Sequence, residues 1–132
     1  MASDEQKRLA IKFLDNFNNA DPEVFANLVT DNFRFEIVSS FNEFPPIVGG
    51  REFAIKEAET LKRLFPNGLN LKLETVIGDG PHVIALANAD TIAMNGKRYC
   101  QRYAFYLRFE GDLLAEGREY NDTNLIREVF IG

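Results

Sequence analysis

Asn88 to Asp122 reads Asn-Ala-Asp-Thr-Ile-Ala-Met, then Asn95-Gly96, then Lys-Arg-Tyr-Cys-Gln-Arg-Tyr-Ala-Phe-Tyr-Leu-Arg-Phe, then Glu-Gly-Asp, then Leu-Leu-Ala-Glu-Gly-Arg-Glu-Tyr-Asn-Asp. Asn-Gly between two alternating apolar runs signals a β-hairpin, because both residues tolerate the positive φ of a type I′ turn. With Asn95 and Gly96 as the whole loop, Met94 faces Lys97. Ile92, Asp90, Asn88 and Leu86 then meet Tyr99, Gln101, Tyr103 and Phe105 on one face of the sheet. Ala85, Ala87, Ala89 and Ala93 share the other face with Cys100, Arg102, Ala104 and Arg108. The first face is bulky and apolar but carries Asn88, Asp90, Gln101 and Tyr103, each costing about 1 to 3 kcal/mol if buried without a partner. These groups therefore pair with one another, with water or with a ligand. The second turn, Glu110-Gly111-Asp112, leaves two registers open. A two- or four-residue loop is preferred because it sets Tyr120 opposite Tyr103 and Asp122 opposite Gln101, on one face with Leu114, Glu116 and Arg118.

Upstream, Ser3 to Asn18 reads as a helix capped by Ser3 or Asp4, with Leu9, Phe13 and Phe17 at helical spacing. Phe13 and Phe17 point inward. Asp21-Pro22 opens a second helix, a cap residue followed by proline at the first helical position. Phe33 to Val38 alternates as a strand, with Phe33, Phe35 and Ile37 facing the core. Ser39 to Gly50 is a proline- and glycine-bearing loop, and its Phe41 and Phe44 either cap the end of the core or close over a pocket mouth. Arg51 to Phe65 is a third helix, Leu69 to Ile77 a strand, and Gly78-Asp79-Gly80-Pro81 a turn. Helices followed by four mainly antiparallel strands define the α+β class.

The chain has 132 residues, 45% of them hydrophobic and 12 of them Phe, which suits one domain over 1–132 with a substantial core. A net charge of −5 without a basic cluster argues against nucleic acid or an anionic membrane as partner. Cys100, the one cysteine, sits mid-strand as a small buried or interface side chain. With no apolar run of membrane length and no hydrophobic signal region at Met1 to Lys7, the chain reads as cytoplasmic. One His and one Cys make a metal site improbable, His82 reads as a rim residue, and no phosphate-binding glycine loop is present, so no cofactor is expected.

The run Gly96-Lys-Arg-Tyr99, Tyr103-Ala-Phe105, Arg108-Phe109, a turn glycine, and Arg118-Glu119-Tyr120-x-Asp122-Thr123 resembles the C-terminal half of the SnoaL-like polyketide cyclases. These belong to the NTF2-like, or ketosteroid-isomerase-like, superfamily. The N-terminal helices, Asn19-Ala20-Asp21-Pro22, Thr30-Asp31-Asn32 and Gly49-Gly50-Arg51-Glu52 extend the likeness over nearly the whole chain. The resemblance implies a cone, with helices packed in a curved, mainly antiparallel sheet around a pocket for a small apolar ligand. Such a superfamily hosts isomerases, cyclases, epoxide hydrolases and non-catalytic modules, so the site must supply the function.

A carboxylate in an apolar cone has its charged form disfavoured and is raised toward a useful pKa, while a tyrosine hydroxyl or amide beside it stabilises an oxyanion. The ketosteroid isomerase pairing of an Asp base with a Tyr-containing oxyanion hole is a worked example from a relative. The resemblance puts Asp122 first as general acid or base; its other reading is a cap on the short helix Thr123 to Val129. Asp90 is the second candidate and Tyr103 a catalytic donor, with Asn88, Gln101 and Tyr120 as polar ligand contacts and Phe13, Phe17 and Phe35 as apolar ones. Arg118 between Asp90 and Asp122 resembles the Asp-Arg-Asp set of limonene-epoxide-hydrolase-like enzymes, or else pairs with Glu116 or Glu119. Asn88 stands where that branch has Arg, and no His stands where the cyclases have one. Thus a cofactor-free enzyme acting on a small carbonyl compound or epoxide is weighed against a ligand-binding or dimerisation module. Asp90 and Asp122 both on the outer surface would overturn the enzyme reading. The alanine stripe, small and flat, is expected to form a homodimer, which sedimentation as a monomer at micromolar concentration would refute.

Overall fold

The computed structural model describes residues 3–40 and 44–131. Helix α1, Asp4–Asn19, begins with a reciprocal capping box in which the Ser3 hydroxyl accepts from Gln6 N–H at 3.0 Å and the Gln6 side-chain Oε1 accepts from Ser3 N–H at 3.2 Å. Ala20, at φ 51°, closes it. Asp21 caps helix α2, Pro22–Leu28, with proline in its first turn. Strand β1 (Val29–Ile37), the short β2 (Ile47–Val48) and helix α3 (Gly50–Leu64) follow, then strands β3 (Leu71–Asp79), β4 (His82–Ile92), β5 (Arg98–Glu110) and β6 (Leu113–Tyr120). Helix α4, Thr123–Ile126, continues into a π-helical turn, Arg127–Ile131. Among the described residues no helix is long and apolar enough to cross a membrane.

The six strands form one curved, open sheet in the order β2-β1-β6-β5-β4-β3, with β1 and β6 parallel and the other pairs antiparallel. β1 and β6 fall on expected strands, and the short β2, inside the expected loop Ser39 to Gly50, is the strand the sequence-based α+β reading lacked. The helices fill the concave side through phenylalanines. Phe13, fully buried, meets Phe17, Phe25 and Phe33 edge-on at 5.6, 5.5 and 6.0 Å and stacks on Phe53 at 5.8 Å. Edge-to-face rings add about 0.5 to 1.5 kcal/mol each beyond their buried area.

Both hairpins differ by one residue from the sequence-based pairing. Between β4 and β5 the last pair is Ile92 with Arg98, Gly96 N–H donates to the Ala93 carbonyl at 2.9 Å, and Ala93 N–H donates to the Lys97 carbonyl at 2.8 Å. Gly96 alone takes a positive φ, 83°, so the loop is Met94-Asn95-Gly96, a turn closed by a left-handed glycine, not a two-residue type I′ turn. A one-residue slip turns every side chain over. Ala85, Ala87, Ala89 and Ala93 therefore face the core, while Ile84, Leu86, Asn88, Asp90 and Ile92 lie on the outer face or its margin. The alanine stripe is thus a core surface on which the helices pack, not an outer dimer surface. Cys100 is likewise exposed on the outer face.

The second turn has the expected two-residue loop, Gly111-Asp112, with Glu110 opposite Leu113. The pairing then breaks: Phe109 faces Leu114 but Arg108 faces Glu116, leaving Ala115 as a bulge. Beyond it, Gly117 and Glu119 turn inward, and Glu116, Arg118 and Tyr120 turn outward. Tyr120 pairs with Ala104 and not with Tyr103.

Helix α3 approaches β1 through Gly50. A Cβ there would lie 2.3 Å from the Thr30 carbonyl oxygen and 3.0 Å from Val29 Cγ2. Alanine normally favours a helix over glycine by about 1 kcal/mol. Here the backbone clash reverses the sign, and Gly50→Ala is expected to lose about 1 to 3 kcal/mol in urea unfolding. Equal or higher stability of that variant would contradict this packing.

Candidate functional site

Between the end of α1, the β5–β6 part of the sheet, α3 and the C-terminal turn lies a cavity of about 160 Å³. Phe17, Ile37, Phe44, Leu61, Leu64, Phe65, Leu69, Ile126 and Phe130 make its apolar wall, and Glu57, Thr60, Tyr99, Tyr103 and Glu119 supply the polar groups. The volume is below that of drug-sized pockets and suits a small organic molecule. Phe44 thus borders the cavity, whereas Phe41 lies outside the described residues.

Glu57 stands on the buried stripe of α3, with Phe53, Ala54, Ala58 and Leu61 at helical spacing around it. It is 7% exposed, and no side-chain or backbone hydrogen bond reaches its carboxyl among the described residues. Burial, then the neighbouring Glu119 charge, pushes it up to about 8. Glu119, turned inward by the Ala115 bulge and also 7% exposed, is pushed up to about 7 by burial. Asn121 Nδ2 donates to its Oε2 at 2.7 Å and moderates the rise. Asn121 Oδ1 is buried and has no partner among the described residues.

Tyr99 and Tyr103 project from alternate positions of β5, and their hydroxyls meet at 2.7 Å. Burial raises both phenols well above the ordinary tyrosine value, with the Glu119 charge as the next cause. They are therefore neutral donors. One hydroxyl hydrogen serves the mutual bond, which leaves the other for a group in the cavity.

Gln101, expected as a ligand contact, is buried and bonded within the chain. Its Oε1 accepts from Asp122 N–H at 2.9 Å and from Arg102 N–H at 3.0 Å, and its Nε2 donates to the Asp122 carbonyl at 3.1 Å. This side chain straps the C-terminal segment to the sheet. Asn95 Nδ2 and Lys97 Nζ reinforce the strap by donating to the Val129 and Glu128 carbonyls at 2.6 and 3.0 Å, which holds Ile126 and Phe130 over the cavity.

The remaining expected residues do not gather here. Asp122 is exposed and caps α4, its Oδ1 accepting from the N–H groups of Asn124 and Leu125 at 3.1 and 3.2 Å. Asp90 is exposed on the outer face and holds Arg98 through two bonds of 3.1 and 2.9 Å, which lower its pKa. Asn88 donates to Glu74 at 2.7 Å on the same outer face. Arg118 donates to Glu116 at 2.9 Å and lies over the Tyr106 ring, so it does not sit between Asp90 and Asp122. Tyr120 is 42% exposed, and Phe13 and Phe35 are core residues behind the cavity wall. Phe17 and Tyr103 do line it. His82, exposed, contacts the Tyr106 hydroxyl at 2.6 Å as a surface residue. Asp90 and Asp122 are both exposed, so the enzyme reading built on these aspartates fails by the criterion set from the sequence, and any catalytic reading must rest on other residues. The sequence reading placed neither Glu57 nor Glu119 in the cavity. For Glu57 a signal existed, a carboxylate in the middle of the apolar stripe of α3.

An open cone of helices and sheet around a small apolar cavity is the fold of the solved NTF2-like structures. Residues 10–117 match the family model of the SnoaL-like domain, and the chain belongs to that family. No curated protein matches it in sequence. Among solved structures it is similar to an LEH-like epoxide hydrolase of M. tuberculosis, with 21% identity, 97% of this chain and 91% of that chain covered, and a TM-score of 0.77. A candidate SnoaL-like polyketide cyclase from Jannaschia sp. CCS1 gives 17% identity, 98% and 95% coverage and a TM-score of 0.80. A hypothetical protein of ketosteroid isomerase-like fold from Catenulispora acidiphila, solved with trimethylamine, gives 11%, 92% and 90%, and 0.77. At these identities the likeness is one of fold.

The raised carboxyls make stability depend on pH. Between the ordinary Glu value of 4.5 and the folded values of about 7 and about 8, the folded chain holds protons that the unfolded chain has lost, so stability falls as pH rises through that window. The loss is expected to reach at least about 1 kcal/mol per group by pH 9. Urea unfolding of Glu57→Gln and Glu119→Gln at pH 5 and pH 9 should show each variant with less of this fall. A fall as steep in both variants as in the parent would contradict the burial.

Proposed function

We propose that the chain is a cofactor-free enzyme that moves a proton on a small, mostly apolar carbonyl compound bound in the cavity. The observation that carries this reading is the enclosure of two carboxyls and two phenol hydroxyls in one apolar space. At neutral pH a coupled pair of this kind shares a proton, with Glu119 the readier to ionise and Glu57 the readier to stay neutral. Ionised Glu119 takes the proton next to the substrate carbonyl, and the oxygen that gains charge accepts a hydrogen bond from Tyr103 or Tyr99. Glu57 then returns a proton to complete an isomerisation or an aldol closure. The same pair suits an epoxide, one carboxylate activating water and the neutral carboxyl protonating the ring oxygen. The proposed homodimer forms on the outer sheet face, where Ile84, Leu86 and Ile92 are exposed.

The test is hydrogen–deuterium exchange next to the carbonyl in a panel of small cyclic ketones, followed by NMR in heavy water, with small epoxides assayed in parallel for diols. Ketone exchange is expected well above the buffer rate, falling about 100- to 10,000-fold in Glu119→Gln and less in Tyr103→Phe. Diol formation in place of exchange would select the epoxide reaction. No turnover across the panel, or an unimpaired Glu119→Gln, would refute the enzyme.

A further inference from the structure

The polar content of the cavity is unbalanced in sign. Helix α3 contributes Glu57 and the Thr60 hydroxyl, β6 contributes Glu119 and β5 contributes the hydroxyls of Tyr99 and Tyr103, while the walls from α1, β1 and the C-terminal turn are apolar. Among the described residues no Lys, Arg or His lines it. Glu57 is more than nine-tenths buried and borders this space without a hydrogen-bond partner among the described residues. Buried carboxylates are normally paired. The one paired contact at Glu119, from Asn121, is a neutral amide.

Beside the carboxyls, three aromatic rings form a common wall. The Phe65 and Tyr99 centroids are 4.8 Å apart, and Phe130 lies 5.7 Å from Phe65 and 5.8 Å from Tyr99. Ring faces attract cations, and aromatic walls beside carboxylates suit quaternary and alkylated ammonium groups. A metal ion is a poor complement: calcium takes six to eight oxygen ligands, and magnesium gives up its water reluctantly. Among the described residues no three His, Cys, Asp or Glu side chains are placed to hold one. An alkylated ammonium carries its charge on a weakly hydrated, apolar body, so entering this cavity costs it less.

We propose that the cavity is a receptor for a small alkylated ammonium ion, seated between the carboxyls of Glu57 and Glu119 and the ring wall of Phe65, Tyr99 and Phe130. This rests on the reading that the cavity takes a small molecule and narrows that molecule to a cation, for example an amine-bearing carbonyl compound. Binding ionises a carboxyl that is neutral in the empty site, so it releases protons and strengthens as pH rises.

The test uses two probes of one shape, choline and its uncharged carbon counterpart 3,3-dimethylbutan-1-ol. Each is titrated into the intact chain by calorimetry in two buffers of different ionisation enthalpy, with the Phe65, Tyr99 and Phe130 ring signals followed by NMR. Choline is expected to shift those signals, to release protons, and to bind at least about tenfold more tightly near pH 8.5 than near pH 5.5. The alcohol should bind more weakly near pH 8.5 and gain nothing from the rise. In Glu57→Gln/Glu119→Gln the pH dependence of choline should vanish; the comparison of the two probes on the parent chain stands whether or not that variant folds. If the alcohol shifts the ring signals and binds as tightly as choline at high pH, the cation receptor is overturned while the small-molecule cavity survives. If neither probe moves the ring signals, both are overturned.

Discussion

Gly96 in its left-handed conformation and the unpaired Ala115 decide which side chains the β4–β5–β6 meander turns inward. In a strand the side chains alternate, so each of these single-residue features selects a whole face. The Gly96 loop turns the alanines of β4 toward the helices and leaves Tyr99, Gln101 and Tyr103 buried on β5. The bulge turns Glu119 toward them and sends Arg118 to the outside. Without the bulge, Arg118 and Glu116 would face the core and Glu119 the solvent. Gly117, two residues before Glu119 on the same face, sits where a Cβ would lie 3.0 Å from Phe35 Cδ1, so the inward backbone packs directly on the aromatic core.

That core explains why the carboxyls are expensive to bury and are buried nonetheless. The phenylalanine cluster around Phe13 fills the closed end of the cone and needs nothing from Glu57 or Glu119. A leucine at position 57 would continue the stripe of α3 at no electrostatic cost. Buried carboxyls such as Glu57, which has no hydrogen-bond partner among the described residues, lower stability at neutral pH, and groups so perturbed in a cavity are candidates for a functional site. The strap by Gln101, Asn95 and Lys97 fits the same division of labour. It spends polar side chains on holding the C-terminal turn over the cavity and leaves the two carboxyls and the tyrosine pair facing the space within.

Much of the fold was legible in the chain. A cap at Ser3 or Asp4, Asp21-Pro22 and the spacing of Leu9, Phe13 and Phe17 pointed to the first two helices, and the C-terminal run pointed to the SnoaL-like family, to which the chain belongs. The faces were harder. Asn95-Gly96 suits both a two-residue turn and a three-residue turn ending in a left-handed glycine, and local sequence does not separate the two. The pairing that does is long-range: Met94 N–H donates to the Leu64 carbonyl and Asn95 Nδ2 to Val129. A bulge leaves still less trace, since Leu113-Leu114-Ala115 is apolar in either register. Both errors moved Asp90, Asn88, Arg118 and Tyr120 inward and Glu119 outward. Glu57 had no such excuse, because its place on the stripe of α3 follows from helical spacing alone.

The most direct test of the central claim is a carboxyl-carbon NMR titration of the intact chain, with Glu57→Gln and Glu119→Gln used to assign the two signals. Glu57 is expected to titrate near 8 and Glu119 near 7, and removal of Glu119 should lower the Glu57 value because its charge is one of the two causes of the rise. Both groups titrating at the ordinary glutamate value of 4.5 would mean that water reaches both carboxyls, and would contradict the buried acid–base pair.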